Sequence, residues 1–176
     1  MNHADHVGLL RGGVSWPGGV WADVGSGSGA FTLALADLLG PTGQIYSVDQ
    51  DRAALRTQQR AIQAQFPQTT IHYLNADFTQ PLKLPLLDGI VLANALHFQK
   101  YAVQGQVIQR LKSYLRPGGR FILVEYNVDR GNFWVPHPLS YQSWENLAHE
   151  CGFAHIHLVA TVPSRFLREI YAAVSW

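Results

Sequence analysis

Residues 20–39 leave the backbone little choice. A short apolar run, Val20-Trp21-Ala22, passes into Asp23-Val24-Gly25-Ser26-Gly27-Ser28-Gly29, and a helix-period segment follows at once. Three glycines at alternate positions allow a tight left-handed turn between a strand and a helix, and they strip that turn of side chains on the side a ligand would approach. The helix that follows places Phe31, Leu35, Leu38 and Leu39 on one face and stops at Gly40-Pro41. A second apolar run, Ile45 to Val48, ends in Asp49. A glycine loop at one strand end with a carboxylate at the next is the layout of a nucleoside-cofactor site, in which the acid accepts from the ribose hydroxyls.

Apolar runs alternate with helix-period segments along the rest of the chain, which predicts an α/β sheet. The expected strands are Gly19 to Val24, Gln44 to Val48, Thr70 to Leu74, Gly89 to Ala93 and Arg120 to Glu125. A helix from Asp51 to Gln65 buries Leu55, Ile62 and Phe66 and turns Arg52, Arg56 and Arg60 to water. Another carries Val103, Val107, Leu111 and Leu115, with Pro117-Gly118-Gly119 as its stop. Ser140 is the N-cap of a helix ending at Gly152. The last two strands, near His155 to Ala160 and Phe166 to Ser175, are separated by too few residues for a parallel crossover, so they pair as a hairpin and the final strand runs antiparallel.

The 176 residues suit one domain, read as spanning 1–176 with about eighteen residues ahead of the first strand. The net charge of +1 and the absence of any basic run exclude an electrostatic nucleic-acid or membrane surface. One cysteine, Cys151, excludes an internal disulfide and fits a reducing, cytoplasmic setting. There is no apolar stretch of transmembrane length and no signal-peptide pattern. The histidines show no zinc-ligand spacing, so no metal is expected.

Gly25-x-Gly27-x-x-Ala30 also satisfies a dinucleotide fingerprint. Asp23 argues against it, because a carboxylate two residues before the first glycine repels a pyrophosphate and attracts a ligand bearing an amino group. Asn75-Ala76-Asp77-Phe78 follows the third strand, where an acid can accept from an adenine amine and a ring can lie on the base. With Asp88-Gly89-Ile90-Val91-Leu92-Ala93-Asn94 and Leu115-Arg116-Pro117-Gly118-Gly119-Arg120 added, the chain from Val20 to Trp176 resembles the class I S-adenosylmethionine-dependent methyltransferases.

That resemblance implies a three-layer Rossmann-like α/β sandwich, a mostly parallel seven-stranded sheet of order 3-2-1-4-5-7-6 with an antiparallel last strand. It implies S-adenosylmethionine as cofactor and S-adenosylhomocysteine as product. By resemblance, the loop with Gly25, Ser26 and Gly27 cradles the methionine part and Asp23 faces its ammonium. Asp49, with Gln50 beside it, takes the ribose; Asp77 and Phe78 take the adenine; Asn94 lies beside the sulfonium. Many small-molecule members carry a helical cap ahead of the first strand, and here only a short extension stands in its place, so the pocket is expected to be open or completed by a partner. Base methylases that act on exocyclic amines carry Asp/Asn-Pro-Pro-aromatic after the fourth strand. Here the chain reads Asn94-Ala95-Leu96-His97, which disfavours nucleic acid.

The acceptor is expected to be a small organic molecule. A protein or peptide methyltransferase, a NAD-dependent Rossmann oxidoreductase and a non-catalytic S-adenosylmethionine-binding subunit are the alternatives. Residues handling the acceptor belong at the carboxyl ends of the strands. His97 is the best placed, with His137 in the loop after the fifth strand, near Trp134, the second candidate; Glu125 and Tyr126 end that strand. Each position also has a structural reading: Asp49 as a helix cap, Asp77 as a turn former, His97 as a buried positioning residue and His137 as a plain loop residue.

Overall fold

The computed structural model describes all residues, 1–176. The chain opens with helix α1 (His3–Arg11), then β1 (Val20–Val24), α2 (Ala30–Leu39), β2 (Gln44–Asp49), α3 (Arg52–Gln65), β3 (Thr70–Asn75) and β4 (Leu87–Ala93). A 3-10 turn over Leu96–Phe98 leads to α4 (Tyr101–Lys112), β5 (Leu115–Tyr126), α5 (Tyr141–Glu150), β6 (Ile156–Pro163) and β7 (Glu169–Ser175). The seven strands form one sheet of order β3-β2-β1-β4-β5-β7-β6. β1 to β5 pair in parallel, and β7 runs antiparallel to both β5 and β6. The expected sandwich, strand order and reversed hairpin are all present.

Both faces of the central strands are covered, as a parallel sheet requires. Ile90, Leu92, Phe121 and Leu123 point into one core with Val107 and Leu111 of α4 and Trp144 of α5. Val91, Ala93, Ile122 and Val124 alternate with them and enter the other core, with Phe31 and Leu35 of α2 and Ile62 of α3. The parallel strands therefore all release their carboxyl ends at one edge, where the loops of the site lie.

Two local features differ from the expectation, and a third was not anticipated. The residues ahead of β1 form α1, closed by an Asn2–Asp5 capping box, and bury Leu9 and Leu10 in the same core as Phe31 and Ile122. This segment covers a face of the sheet. Second, α4 ends at Lys112, before Leu115. The Leu87 amide donates to the Tyr114 carbonyl at 2.9 Å and Leu87 pairs with Leu115, so the chain is already strand there. Pro117-Gly118-Gly119 lies within β5, where the register with β4 shifts, and does not terminate a helix. Third, α3 buries Gln58 completely beside Leu55 and Ile62.

Candidate functional site

The end of β1 is tied to the end of β2. The amides of Gly25 and Ser26 both donate to the Val48 carbonyl, at 2.9 and 3.1 Å. Gly27 then donates its amide to Asp49 Oδ2 at 2.7 Å, and Oδ1 of the same carboxylate accepts from the Asp51 amide at 2.7 Å. Asp51 is the N-cap of α3 and accepts from Ala53 and Ala54. One acid thus fixes both the glycine loop and the entry to α3. Across the next strand, Asn75 donates to the carbonyls of Asp49 and Gln50 at 3.1 and 2.8 Å.

Glycine is required at Gly25 on two counts. Its φ is +69°, and a Cβ there would sit 2.5 Å from Cβ of Ala95. At Gly27, φ is +53° and a Cβ would meet nothing within 4 Å, so this turn of the loop faces open space. That space is a cavity of about 440 Å³. It is lined by Gly25, Gly27, Asp49, Gln50, Asp77, Phe78 and Asn94, together with Ala76, Thr79, Ala95, Phe98 and Gln99. Seven of the expected residues therefore converge on one cavity. Asp77 uses Oδ1 for the Thr79 amide and hydroxyl, both at 2.8 Å, so it is a turn former as well as a wall of the cavity. Asn94 has a left-handed φ of +50°, and its Oδ1 is buried without a donor. An unmet buried acceptor is costly in isolation, and a ligand donor in the cavity would relieve it.

Four expected residues lie outside the cavity lining. Asp23 is 1% exposed, and its carboxylate accepts from the Thr32 hydroxyl. Burial pushes its pKa up to about 7, the Thr32 hydrogen bond opposes that shift, and the Asp49 charge adds to it. Ser26 is turned inward, its hydroxyl 2.7 Å from that of Ser47 and 3.4 Å from Gln58 Oε1. His97 is buried in the 3-10 turn with Nδ1 against the Glu125 carboxylate. His137 contributes its backbone, donating to the His97 carbonyl at 3.0 Å and accepting from Gln104 Nε2 at 2.9 Å, and its ring meets the edge of Tyr101 at 5.1 Å.

Sequence reasoning missed Thr79, Ala95, Phe98 and Gln99 as lining residues, and Gln104 and Tyr101 as clasps of the β5–α5 loop. Tyr101 donates its hydroxyl to the carbonyls of Asp129 and Pro138 at 2.9 and 3.0 Å. Only the position of Ala95, Phe98 and Gln99 just past a strand end gave a signal. The donor set of the cavity suits a cofactor with hydroxyls, an amino-bearing ring and a positive charge: carboxylates, a free amide oxygen, an aromatic wall and no lysine or arginine.

The model of the methyltransferase domain family matches residues 22–119, more than half of the sequence. The chain belongs to that family, the class I S-adenosylmethionine-dependent methyltransferases. It is 31% identical over 113 residues to a 2-phytyl-1,4-naphtoquinone methyltransferase of Trichormus variabilis, covering 63% of this chain and 48% of that protein. It is 24% identical over 106 residues to the ubiquinone/menaquinone biosynthesis C-methyltransferase UbiE of Wigglesworthia glossinidia brevipalpis, covering 60% and 42%. The chain thus spans about half the length of the curated relatives it matches. Among solved structures, magnesium protoporphyrin IX methyltransferase from Synechocystis with bound SAM superposes with a TM-score of 0.71 at 19% identity, covering 98% of this chain and 77% of that one. Human N-acetylserotonin methyltransferase with SAM gives 0.69 at 19% identity, covering 99% and 51%. No helix is long and apolar enough to cross a membrane.

Proposed function

We propose that this chain transfers the methyl group of S-adenosylmethionine to a small organic acceptor and releases S-adenosylhomocysteine. The observation that carries the reading is the convergence of the glycine loop, Asp49, Asp77 and Asn94 on one cavity at the carboxyl ends of the parallel strands. The names of two curated relatives, a 2-phytyl-1,4-naphtoquinone methyltransferase and a ubiquinone/menaquinone biosynthesis C-methyltransferase, support a small acceptor.

In this reading Asp49 accepts from the ribose hydroxyls, and Gln50 lies beside it. Asp77 offers the oxygen that no protein group occupies to the adenine amine, and Phe78 lies on the base. Gly25 and Gly27 admit the methionine part close to the backbone, with Ser26 bracing the loop from behind. Asp23 draws the ammonium group from just below the loop. Asn94 Oδ1 finds a donor on the ligand. The bound cofactor supplies an electrophilic methyl on a sulfonium whose leaving group departs neutral, so no acid is needed. The protein aligns the nucleophile and excludes water. His97 and His137 stand on the acceptor side. The unit works as one domain, 1–176, and its lone free thiol at Cys151 suits the cytoplasm.

Titration calorimetry with S-adenosylhomocysteine on the intact protein and on Asp49→Ala tests the reading. Tight binding by the intact protein and a loss on Asp49→Ala are expected; no binding by the intact protein removes it. Transfer of labelled methyl from S-adenosylmethionine, with products separated by size, then distinguishes a small acceptor from a macromolecular one.

A further inference from the structure

The β6–β7 hairpin turns at the same edge of the sheet as the cavity. Tyr126, the last residue of β5, pairs with Ile170, and Pro163 pairs with Glu169, so residues 164–168 project beyond the carboxyl end of β5. Hydrogen bonds join this turn to its neighbours. Asn127 donates its amide to the Glu169 carbonyl at 2.9 Å and its Nδ2 to the Glu169 carboxylate at 2.8 Å. The Tyr101 hydroxyl and the His137 amide tie the 127–139 loop to the segment after β4, through the carbonyls of Asp129 and His97. Three chain segments thus make one rim beside the cavity.

The rim is both aromatic and cationic. Phe133 is 88% exposed and Trp134 68%, their rings in edge contact at 5.2 Å. Phe166 in the hairpin turn and Phe98 on the cavity wall are exposed as well. Lys100, Arg130, Arg165 and Arg168 belong to the same segments, and all four are exposed and outside any ion pair. The nearby acids are engaged: Asp129 accepts from Ser140, and Glu169 from Asn127. Asp49 and Asp77, the acids of the cavity, lie past the ends of β2 and β3, on the other half of the edge. The sequence has no basic run and on that ground predicts no membrane surface. The fold gathers these cations from separate segments instead.

Single exposed rings are ordinary, but a group of them at one rim marks a surface that meets something apolar. The unpaired cations among them call for an anionic occupant. A bilayer with acidic headgroups meets both demands, because rings enter the boundary between headgroup and acyl chain while arginine and lysine meet the phosphates. We propose that this rim docks on the surface of an anionic lipid bilayer, with Phe133, Trp134 and Phe166 at headgroup depth and Lys100, Arg130 and Arg165 against the lipid phosphates. The half of the edge that carries Asp49 and Asp77 is repelled by the same surface and stays in water. Phe98 belongs to both rim and cavity wall, so docking brings the mouth of the cavity to the lipid. The docking stands independently of the methyl-transfer reading.

Cosedimentation with vesicles tests this, using phosphatidylcholine alone and phosphatidylcholine mixed with phosphatidylglycerol. The intact protein should bind the mixed vesicles at about 0.1 M salt, bind them far less at about 0.5 M, and bind pure phosphatidylcholine weakly. Arg130→Gln/Arg165→Gln should weaken binding at least tenfold, since each basic residue at such a surface is worth about fivefold. Phe133→Ser/Trp134→Ser should weaken it at least as much. Trp16→Ser removes an equally exposed ring ahead of β1, at the opposite edge, and should change nothing. Unchanged thermal midpoints show that the variants are folded. Should a double variant not fold, brominated lipid in the mixed vesicles decides: it should quench the tryptophan fluorescence of the intact protein, and Trp134→Phe should lose that quenching. No binding of the intact protein to the mixed vesicles, an equal loss on Trp16→Ser, or quenching that survives Trp134→Phe overturns the proposal. Binding to polyglutamate without binding to vesicles overturns it too, and assigns the rim to an acidic protein partner.

Discussion

The Asp49 carboxylate accepts the amide proton of Gly27 at 2.7 Å, so the acid expected to hold the ribose also sets the shape of the glycine loop. Removing it therefore acts twice. Asp49→Ala should weaken S-adenosylhomocysteine binding at least tenfold and lower stability by about 1.5–3 kcal/mol, the worth of hydrogen bonds to a charged group. Asp49→Asn keeps an acceptor and should lose less of both. Calorimetry and chemical denaturation of the two variants check this; a fully stable Asp49→Ala protein would show that the loop holds itself.

Asp23 carries a pH signature. Its folded pKa of about 7 lies above the ordinary 3.8, so the folded state holds a proton that the unfolded chain has released. The stabilising contribution is complete below about pH 3.8 and is lost as pH rises to about 7. Asp23→Asn should therefore be more stable than the wild type above neutrality, with little advantage at acid pH. Denaturation midpoints across that range measure the crossover. If the ligand's ammonium reaches this carboxylate, binding near neutral pH should also release a proton, which calorimetry in buffers of different ionisation heat would reveal.

Gly25→Ala should fold poorly or not at all. The left-handed φ costs about 1–2 kcal/mol for any L side chain, and the new methyl meets Ala95 at 2.5 Å. The double variant Gly25→Ala/Ala95→Gly removes the clash and keeps the strain, so it should recover part of the thermal midpoint but not all of it.

Tyr101→Phe removes the hydroxyl that donates to the carbonyls of Asp129 and Pro138. Global stability should fall by about 1 kcal/mol, but hydrogen exchange across residues 127–139 should quicken far more than in the sheet. Uniform exchange throughout the molecule would mean that the loop is held by other contacts.

The donor side of the site was legible because its determinants are local. A strand end, a glycine turn and an acid one strand over follow one another within residues 20–49, and Asp77 repeats the arrangement after β3. The acceptor side was not. His97 and Glu125 are 28 residues apart and meet only because β4 and β5 are adjacent, with Ala93 opposite Val124. Asp23 reads as a ligand-facing acid, yet Thr32, nine residues on, draws it into the core. Gln58 lies between Arg56 and Arg60 in sequence, and the approach of α3 to Ser47, whose hydroxyl donates to Gln58 Oε1 at 2.9 Å, accounts for its burial. The end of α4 was misplaced because Leu115 fits the helical repeat equally well, and the pairing with Leu87 that claims it is invisible to periodicity.

β7 lies between β5 and β6, although β6 is made first. As the chain emerges from the ribosome, β6 has no edge to join, because its partner has yet to be synthesised. Residues 156–163 must wait, exposed, until 169–175 slot between them and β5. The parallel half can assemble from the amino terminus onward, whereas this half cannot begin until its innermost member arrives. A stalled or shortened nascent chain would therefore present an unpaired β6, the segment a chaperone would be expected to hold.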